Sequence, residues 1–153
     1  MERAYKYLSE FKVGEVYTTL SRTLTETDVV LFAGISGDMN PIHTDKTYAE
    51  GLPFGSRIGH GLLCSGIATG LWGRMGLVDG SAIAALSTEW KFVGAVKIGD
   101  TIHCECEILD IQRSNSKPDR GVLNLGYKII NQDGQLCQTG SMKTMMWWEE
   151  PTE

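Results

Sequence analysis

Apolar and polar positions alternate differently in the two halves of the chain. In the first half, Val16-Tyr17-Thr18-Thr19-Leu20-Ser21-Arg22-Thr23-Leu24 is rich in β-branched and aromatic residues and predicts a strand. Thr25-Glu26-Thr27-Asp28 then supplies a hydroxyl cap with acids in the first turn, which starts a helix. Val29, Phe32 and Ala33 recur at helical spacing, and Gly34 and Gly37 mark the end of that helix. From Thr44 to Gly59 the pattern is irregular and punctuated by Gly51, Pro53, Gly55 and Gly59, as in loops that form lids or binding walls. Next, Leu62, Leu63, Cys64, Ile67, Ala68, Leu71 and Trp72 are apolar on nearly every side, with Ser65, Gly66, Thr69 and Gly70 between them. A helix apolar all round is a buried one. Arg74 and Gly76 close it.

In the second half the period shortens to two. Ile83–Val93 alternates around Trp90 and Phe92, and Thr101–Ile111 does so through Ile102, Cys104, Cys106 and Ile108. Val122–Ile130 and Gln135–Trp147 complete four strands, separated by turns at Lys97–Asp100, at 114–121 with Pro118, and at Asn131-Gln132-Asp133-Gly134. The sum is an α+β chain in which an antiparallel sheet wraps a long central helix. At 153 residues it is expected to form one domain over 1–153, large enough to bury about two thirds of its unfolded surface.

Bulk numbers narrow the partners. With 42% hydrophobic and 22% charged residues the composition is that of a globular protein. A net charge of −5 supplies no basic stripe, so nucleic acid is not expected, and an anionic ligand must find local Lys or Arg, for which Arg57 and Arg74 are candidates. MERAYKYLSE lacks the apolar core of a signal peptide, and no run of about 18 apolar residues exists to span a bilayer, so a cytoplasmic protein is expected. Cys64, Cys104, Cys106 and Cys137 form no CxxC pair and read as reduced, buried packing residues.

The chemistry concentrates in Gly37-Asp38-Met39-Asn40-Pro41-Ile42-His43-Thr44-Asp45, where two acids, an amide and an imidazole fall together. His60-Gly61 then opens the central helix, and a helix N-terminus presents free N–H groups and partial positive charge. An acid, a neutral imidazole and such a donor are the parts needed to move protons beside a carbonyl. The plainer readings are an Asx turn after a helix-ending glycine for Asp38 and Asn40, and packing roles for His60 and for His103 on its strand. No HxH or HExxH spacing supports a metal, and none is expected.

The order of elements resembles the hot-dog fold. The segment Ser36-Gly37-Asp38-Met39-Asn40-Pro41-Ile42-His43, with His60-Gly61 after an overhanging loop, resembles the signature of MaoC-like dehydratases, specifically the (R)-specific enoyl-CoA hydratases. The resemblance implies hydration of trans-2-enoyl-CoA to (R)-3-hydroxyacyl-CoA. It makes Asp38 and His43 the catalytic pair and the backbone N–H of Gly61 the thioester anchor. Asn40 and His60 would be supports, with Thr69 as the hydroxyl of the central helix that faces the site. Leu62, Leu63, Pro53 and Phe54 would line the acyl tunnel. It implies no cofactor, since coenzyme A is part of the substrate, and a homodimer or larger homo-oligomer with sheets edge to edge. The rivals are an acyl-CoA thioesterase and a non-catalytic acyl-CoA-binding module. The first often uses an acid on the central helix, which Gly59–Gly73 lacks; the second has no need of Asp38 with His43. The pair Trp147-Trp148 has no functional reading.

Overall fold

The computed structural model describes residues 3–151. Short strands β1 (Val16–Thr18) and β2 (Arg22–Thr23) lead into helix α1 (Glu26–Ser36). Two short helices follow, α2 (Pro41–Thr44) and α3 (Lys46–Glu50), then the long helix α4 (Gly61–Gly73). Strands β3 (Ala82–Phe92), β4 (Thr101–Arg113), β5 (Arg120–Asn131) and β6 (Leu136–Trp147) complete the chain. The sheet runs β1-β4-β5-β6-β3, all neighbours antiparallel, with β2 continuing beside β4.

The core forms where the two periodicities meet. Strand β4 alternates strictly, burying Ile102, Cys104, Cys106 and Ile108, and β5 adds Leu123, Leu125, Tyr127 and Ile129. Against this face lie Cys64, Ile67, Ala68, Leu71 and Trp72 of α4. The sheet thus curls about the helix, the hot-dog arrangement. All four cysteines are buried and free. Among the described residues no helix is long and apolar enough to cross a membrane.

Three expectations need correction. The single strand over 16–24 is broken because Thr19 inserts its side chain into the ladder. Its N–H donates to the Cys104 carbonyl at 2.9 Å, while its Oγ1 accepts from the Cys104 N–H at 2.9 Å, replacing a backbone carbonyl. Between the pairs Thr18–Glu105 and Arg22–Ile102 the early strand therefore carries one extra residue, a bulge. The stretch from Thr44 to Gly59 is not wholly irregular either, since it contains α3, and the motif just before it forms α2. Asn40 Oδ1 accepts from Ile42 N–H and Pro41 takes the first helical position, where its missing N–H costs nothing. Asp45 caps α3 in the same way through Tyr48 N–H at 3.0 Å. Finally, α4 is not buried all round. One sheet covers one side only, and Leu62, Gly66, Gly70 and Gly73 form an exposed stripe, with Leu62 64% exposed.

Strand β3 is an edge strand and departs from strict alternation, with register shifts at Ala82–Ala84 and Ala85–Ser87. Trp90 is half-buried and packs on Tyr127 at 5.3 Å between ring centroids. It fits because Gly140 stands opposite it, where an added methyl would come within 2.3 Å of the indole. Phe92 remains exposed.

Candidate active site

The site begins with the end of α1. Gly37 adopts the left-handed conformation (φ 75°) that terminates the helix, and its N–H donates to Ala33 O. The turn that follows is held by its own polar side chains. Ser36 Oγ accepts from Asp38 N–H at 3.2 Å, and Asp38 Oδ1 accepts from Asn40 N–H at 3.2 Å. Asn40 starts α2, which carries His43 at its third position. The Asx-turn reading of Asp38 and Asn40 thus describes real bonds, and these bonds orient the acid and the imidazole.

Both histidines are fixed by backbone carbonyls. His43 Nδ1 lies 2.8 Å from Ile58 O, and His60 Nε2 lies 3.0 Å from Asp38 O. A carbonyl only accepts, so Nδ1 of His43 carries its hydrogen, and Nε2 of the neutral ring is left as an acceptor. His60, 2% exposed, presents its unprotonated Nδ1 to no partner among the described residues. The rings stack, centroids 3.8 Å apart and planes 28° off parallel, and Phe32 lies against His60 at 4.9 Å.

Ligand atoms of Asp38, His43 and His60 all lie within 4.8 Å of one another. A metal bound by both imidazoles must lie near both ring planes, because nitrogen lone pairs lie in the plane. Stacked rings send those lone pairs side by side, so the trio suits proton chemistry better than coordination.

Next to the trio, α4 begins without a side-chain cap, since the His60 ring is turned toward Asp38. The first-turn N–H groups are therefore open to a ligand. At Gly61 an added methyl would come within 2.7 Å of the Phe92 ring, so a side chain there fits only if that ring moves. Asp38, His43, His60 and Gly61 surround one cavity of about 260 Å³, together with Phe32, Leu62, Phe92 and Gln138.

Other predicted positions fall elsewhere. Leu62 lines this cavity and a neighbouring groove of about 530 Å³, which Leu63 also lines. Pro53 and Phe54 are exposed and line neither. Thr69 differs from expectation. Its hydroxyl donates to Gly66 O at 2.9 Å and it borders a separate cavity with Trp72, Val78 and Met146. The helix hydroxyl nearest the site is Ser65, which donates to Gly61 O at 3.0 Å, one turn before Thr69. Arg57 forms a two-pronged pair with Glu26 at 2.7 and 2.5 Å, leaving Arg74, beside Arg22 in the larger groove, as the freer cation. Trp147 and Trp148 carry Arg120 and Arg113 over their rings at 4.6 and 4.7 Å, a packing role. Sequence reasoning missed Gln138, for which no motif gave a signal, and Ser65, whose four-residue spacing from Gly61 was one.

Known proteins agree with this frame. A family model described as MaoC like domain matches residues 10–125. The (R)-specific enoyl-CoA hydratase of Rhodospirillum rubrum is 35% identical over 96 residues, covering 63% of this chain and 65% of its own length. The 3-hydroxybutyryl-CoA dehydratase of Methylorubrum extorquens is 33% identical over 105 residues, covering 69% of this chain and 65% of its own. The chain therefore spans just under two thirds of these relatives. Among solved structures, a monoamine oxidase regulatory protein from Archaeoglobus fulgius superposes with TM-score 0.87 at 30% identity, covering 95% and 96% of the two chains. A MaoC-like dehydratase from Rhodospirillum rubrum does so with TM-score 0.85 at 25% identity, covering 96% and 99%. A Mycobacterium tuberculosis protein described as a double hot-dog fold gives 0.84 at 17% identity, covering all of this chain and 47% of its own, a likeness of fold.

Proposed function

This chain belongs to the MaoC-like family, and from that premise we propose that it hydrates trans-2-enoyl-CoA reversibly to (R)-3-hydroxyacyl-CoA. The observation that carries the reading is the convergence of Asp38, His43 and the uncapped first turn of α4 on one cavity. The names of the two enzyme relatives, an (R)-specific hydratase and a 3-hydroxybutyryl-CoA dehydratase, support the same reaction in its two directions.

The chemistry follows from the donors and acceptors. A single water donates one of its hydrogens to the Asp38 carboxylate and the second to the free Nε2 of His43, which leaves its oxygen lone pair directed at C3. On attack the C3–O bond forms and the proton passes to Asp38, while His43 holds the water in place. Electron density moves onto the thioester oxygen, where the Gly61 N–H receives it. Losing one such donor typically raises a barrier by about 2.7–4 kcal/mol. The proton then returns to C2 and the carboxylate is restored. Nothing is oxidised, and the reaction calls for no cofactor beyond the coenzyme A that the substrate carries.

Strand β3 ends the sheet with an open edge, and Ala82, Ala84, Ala85 and Leu86 are exposed along it. A second copy pairing there would cover that edge, which supports a homodimer. The four free buried thiols fit a reducing cytoplasm.

The decisive experiment is loss of enoyl absorbance with crotonyl-CoA, extended to C8, with chiral analysis of the product. An (S) product, or no hydration of any chain length, sinks the assignment. Light scattering of the purified protein tests the dimer, and a monomer removes that part alone.

A further inference from the structure

The first turn of α4 is gripped from strand β6. Gln138, 2% exposed, stands opposite Phe92 in the β3–β6 ladder, so both side chains leave the same face of the sheet. They meet at one residue. Phe92 lies over the Cα of Gly61, and Gln138 Nε2 donates to the Gly61 carbonyl at 3.2 Å, a contact between residues 77 apart in sequence. The Ser65 hydroxyl lies within reach of both acceptors, 3.1 Å from Gln138 Oε1 and 3.0 Å from Gly61 O.

Such a group has a cost. A buried amide gives up its hydration and regains it only through bonds like these. The bonds go to a turn that most needs restraint. It starts at a glycine, whose backbone is the loosest, and its N-cap His60 supplies no side-chain bond. Helix ends of that kind fray. Because a peptide group is planar, fixing the Gly61 carbonyl fixes the plane that carries the Leu62 N–H and restrains the Gly61 N–H beside it. Hydrogen bonds to the carbonyl also polarise the peptide and strengthen its donor end.

We propose that Gln138 is a positioning residue: with Ser65 it holds the Gly61 carbonyl so that the free N–H groups of the turn stay aimed into the cavity of Asp38 and His43. The inference rests on the reading of that turn as the thioester anchor. A misplacement of about 1 Å remote from the chemistry can cost roughly 10²-fold in rate, so a measurable loss is expected when the grip is released.

The test compares the intact protein with Gln138→Leu, which fills similar space, and Gln138→Glu, which keeps the Ser65 bond but loses the donor. With crotonyl-CoA, kcat is expected to fall roughly tenfold or more while KM stays within about threefold, as for an interaction expressed in the transition state. The infrared carbonyl stretch of bound 3-hydroxybutyryl-CoA, labelled with ¹³C at the thioester carbon, should shift toward its value in water. A merely structural residue would lower the melting temperature and leave kcat and the carbonyl stretch unchanged, which overturns the proposal. If the unsubstituted protein hydrates no enoyl-CoA, the thioester reading fails first. If it does and Gln138→Leu matches it, the role of Gln138 alone fails. Where neither variant folds, the unsubstituted protein still decides. Its Gln138 side-chain amide NMR signal should move on adding 3-hydroxybutyryl-CoA while that of exposed Gln135 does not, and an unmoved Gln138 signal overturns the proposal.

Discussion

The imidazoles of His43 and His60 lie face to face, centroids 3.8 Å apart, each bound through a different nitrogen to a backbone carbonyl. The stack gives the two rings unequal work. His43 is half-buried and keeps Nε2 for the cavity, whereas His60 is buried and spends its N–H on the carbonyl of Asp38. Replacing His43 by Ala removes the acceptor that holds the water and should cost roughly 10²-fold in turnover, the scale of a misplaced reacting group, with a smaller change in melting temperature than His60 replacement gives. Replacing His60 by Ala should lower both, because it opens a buried cavity and frees the turn that carries Asp38, at about 2–4 kcal/mol of stability by analogy with other large-to-small core changes. Thermal melts beside steady-state kinetics separate the two. Equal melting temperatures for the two variants would refute the division.

Asp38→Asn is the cleaner probe of the acid. The amide oxygen can still accept from Asn40 N–H, so the turn keeps its bonds while the charge and the proton acceptor are lost. Turnover should fall at least about a hundredfold. A folded Asp38→Asn protein with near-normal hydration would show that another group removes the proton.

Gly61 and Phe92 are coupled by contact. A methyl on Gly61 meets the ring at 2.7 Å, and Phe92, 56% exposed, has space to swing away. Gly61→Ala should therefore cost little stability but displace the ring across the cavity and raise KM. Trimming the ring in Gly61→Ala/Phe92→Ala should recover part of that loss. In a double-mutant cycle the two changes should be non-additive by about 0.5–3 kcal/mol in kcat/KM, as for other contacting pairs. Additive effects would place the ring elsewhere.

Much of this arrangement was legible in the sequence because local rules set it. Period-two alternation marked β4 and β5, the Thr25 cap marked α1, and the Asp38–His43 motif followed by His60-Gly61 marked the two halves of the site. What could not be read depended on contacts between distant residues. Thr19 breaks its strand only because Cys104 presents an N–H for its hydroxyl to accept. Gln138 becomes part of the site only once β6 is laid against the start of α4. Ser65 reaches Gly61 O from one turn along the same helix, a local bond, but only the docking of α4 against β6 brings Gln138 Oε1 to the same hydroxyl.

The cysteines yield a prediction independent of catalysis. Burial pushes the thiols of Cys64, Cys104 and Cys106 up to about 12 and raises that of Cys137. Thiolate is the reactive form. At pH 8 the native protein should therefore titrate almost no thiol with a disulfide reagent over minutes, and all four after denaturation. Rapid labelling of Cys104 or Cys106 in the native state would mean that the sheet opens far more readily than its packing implies.

Asp28 links pH to stability through the start of α1. Burial alone would raise its pKa, but the Thr25 hydroxyl and N–H, together with Arg22, outweigh burial and hold the carboxyl below the usual aspartate range. A carboxyl with a lower pKa in the folded than in the unfolded chain stabilises the fold above its unfolded value of about 3.9, and that contribution fades as pH falls through the lower, native value. Asp28→Asn should thus unfold at lower urea than the wild type at pH 7, by about 1 kcal/mol, the usual worth of a helix cap. The gap should narrow steadily below about pH 4, where the wild-type carboxyl takes up its proton. Urea titrations of both proteins from pH 7 to pH 2.5 measure it. A gap that stays constant to the lowest pH would mean that the size and shape of the side chain, and not its charge, anchor the helix start.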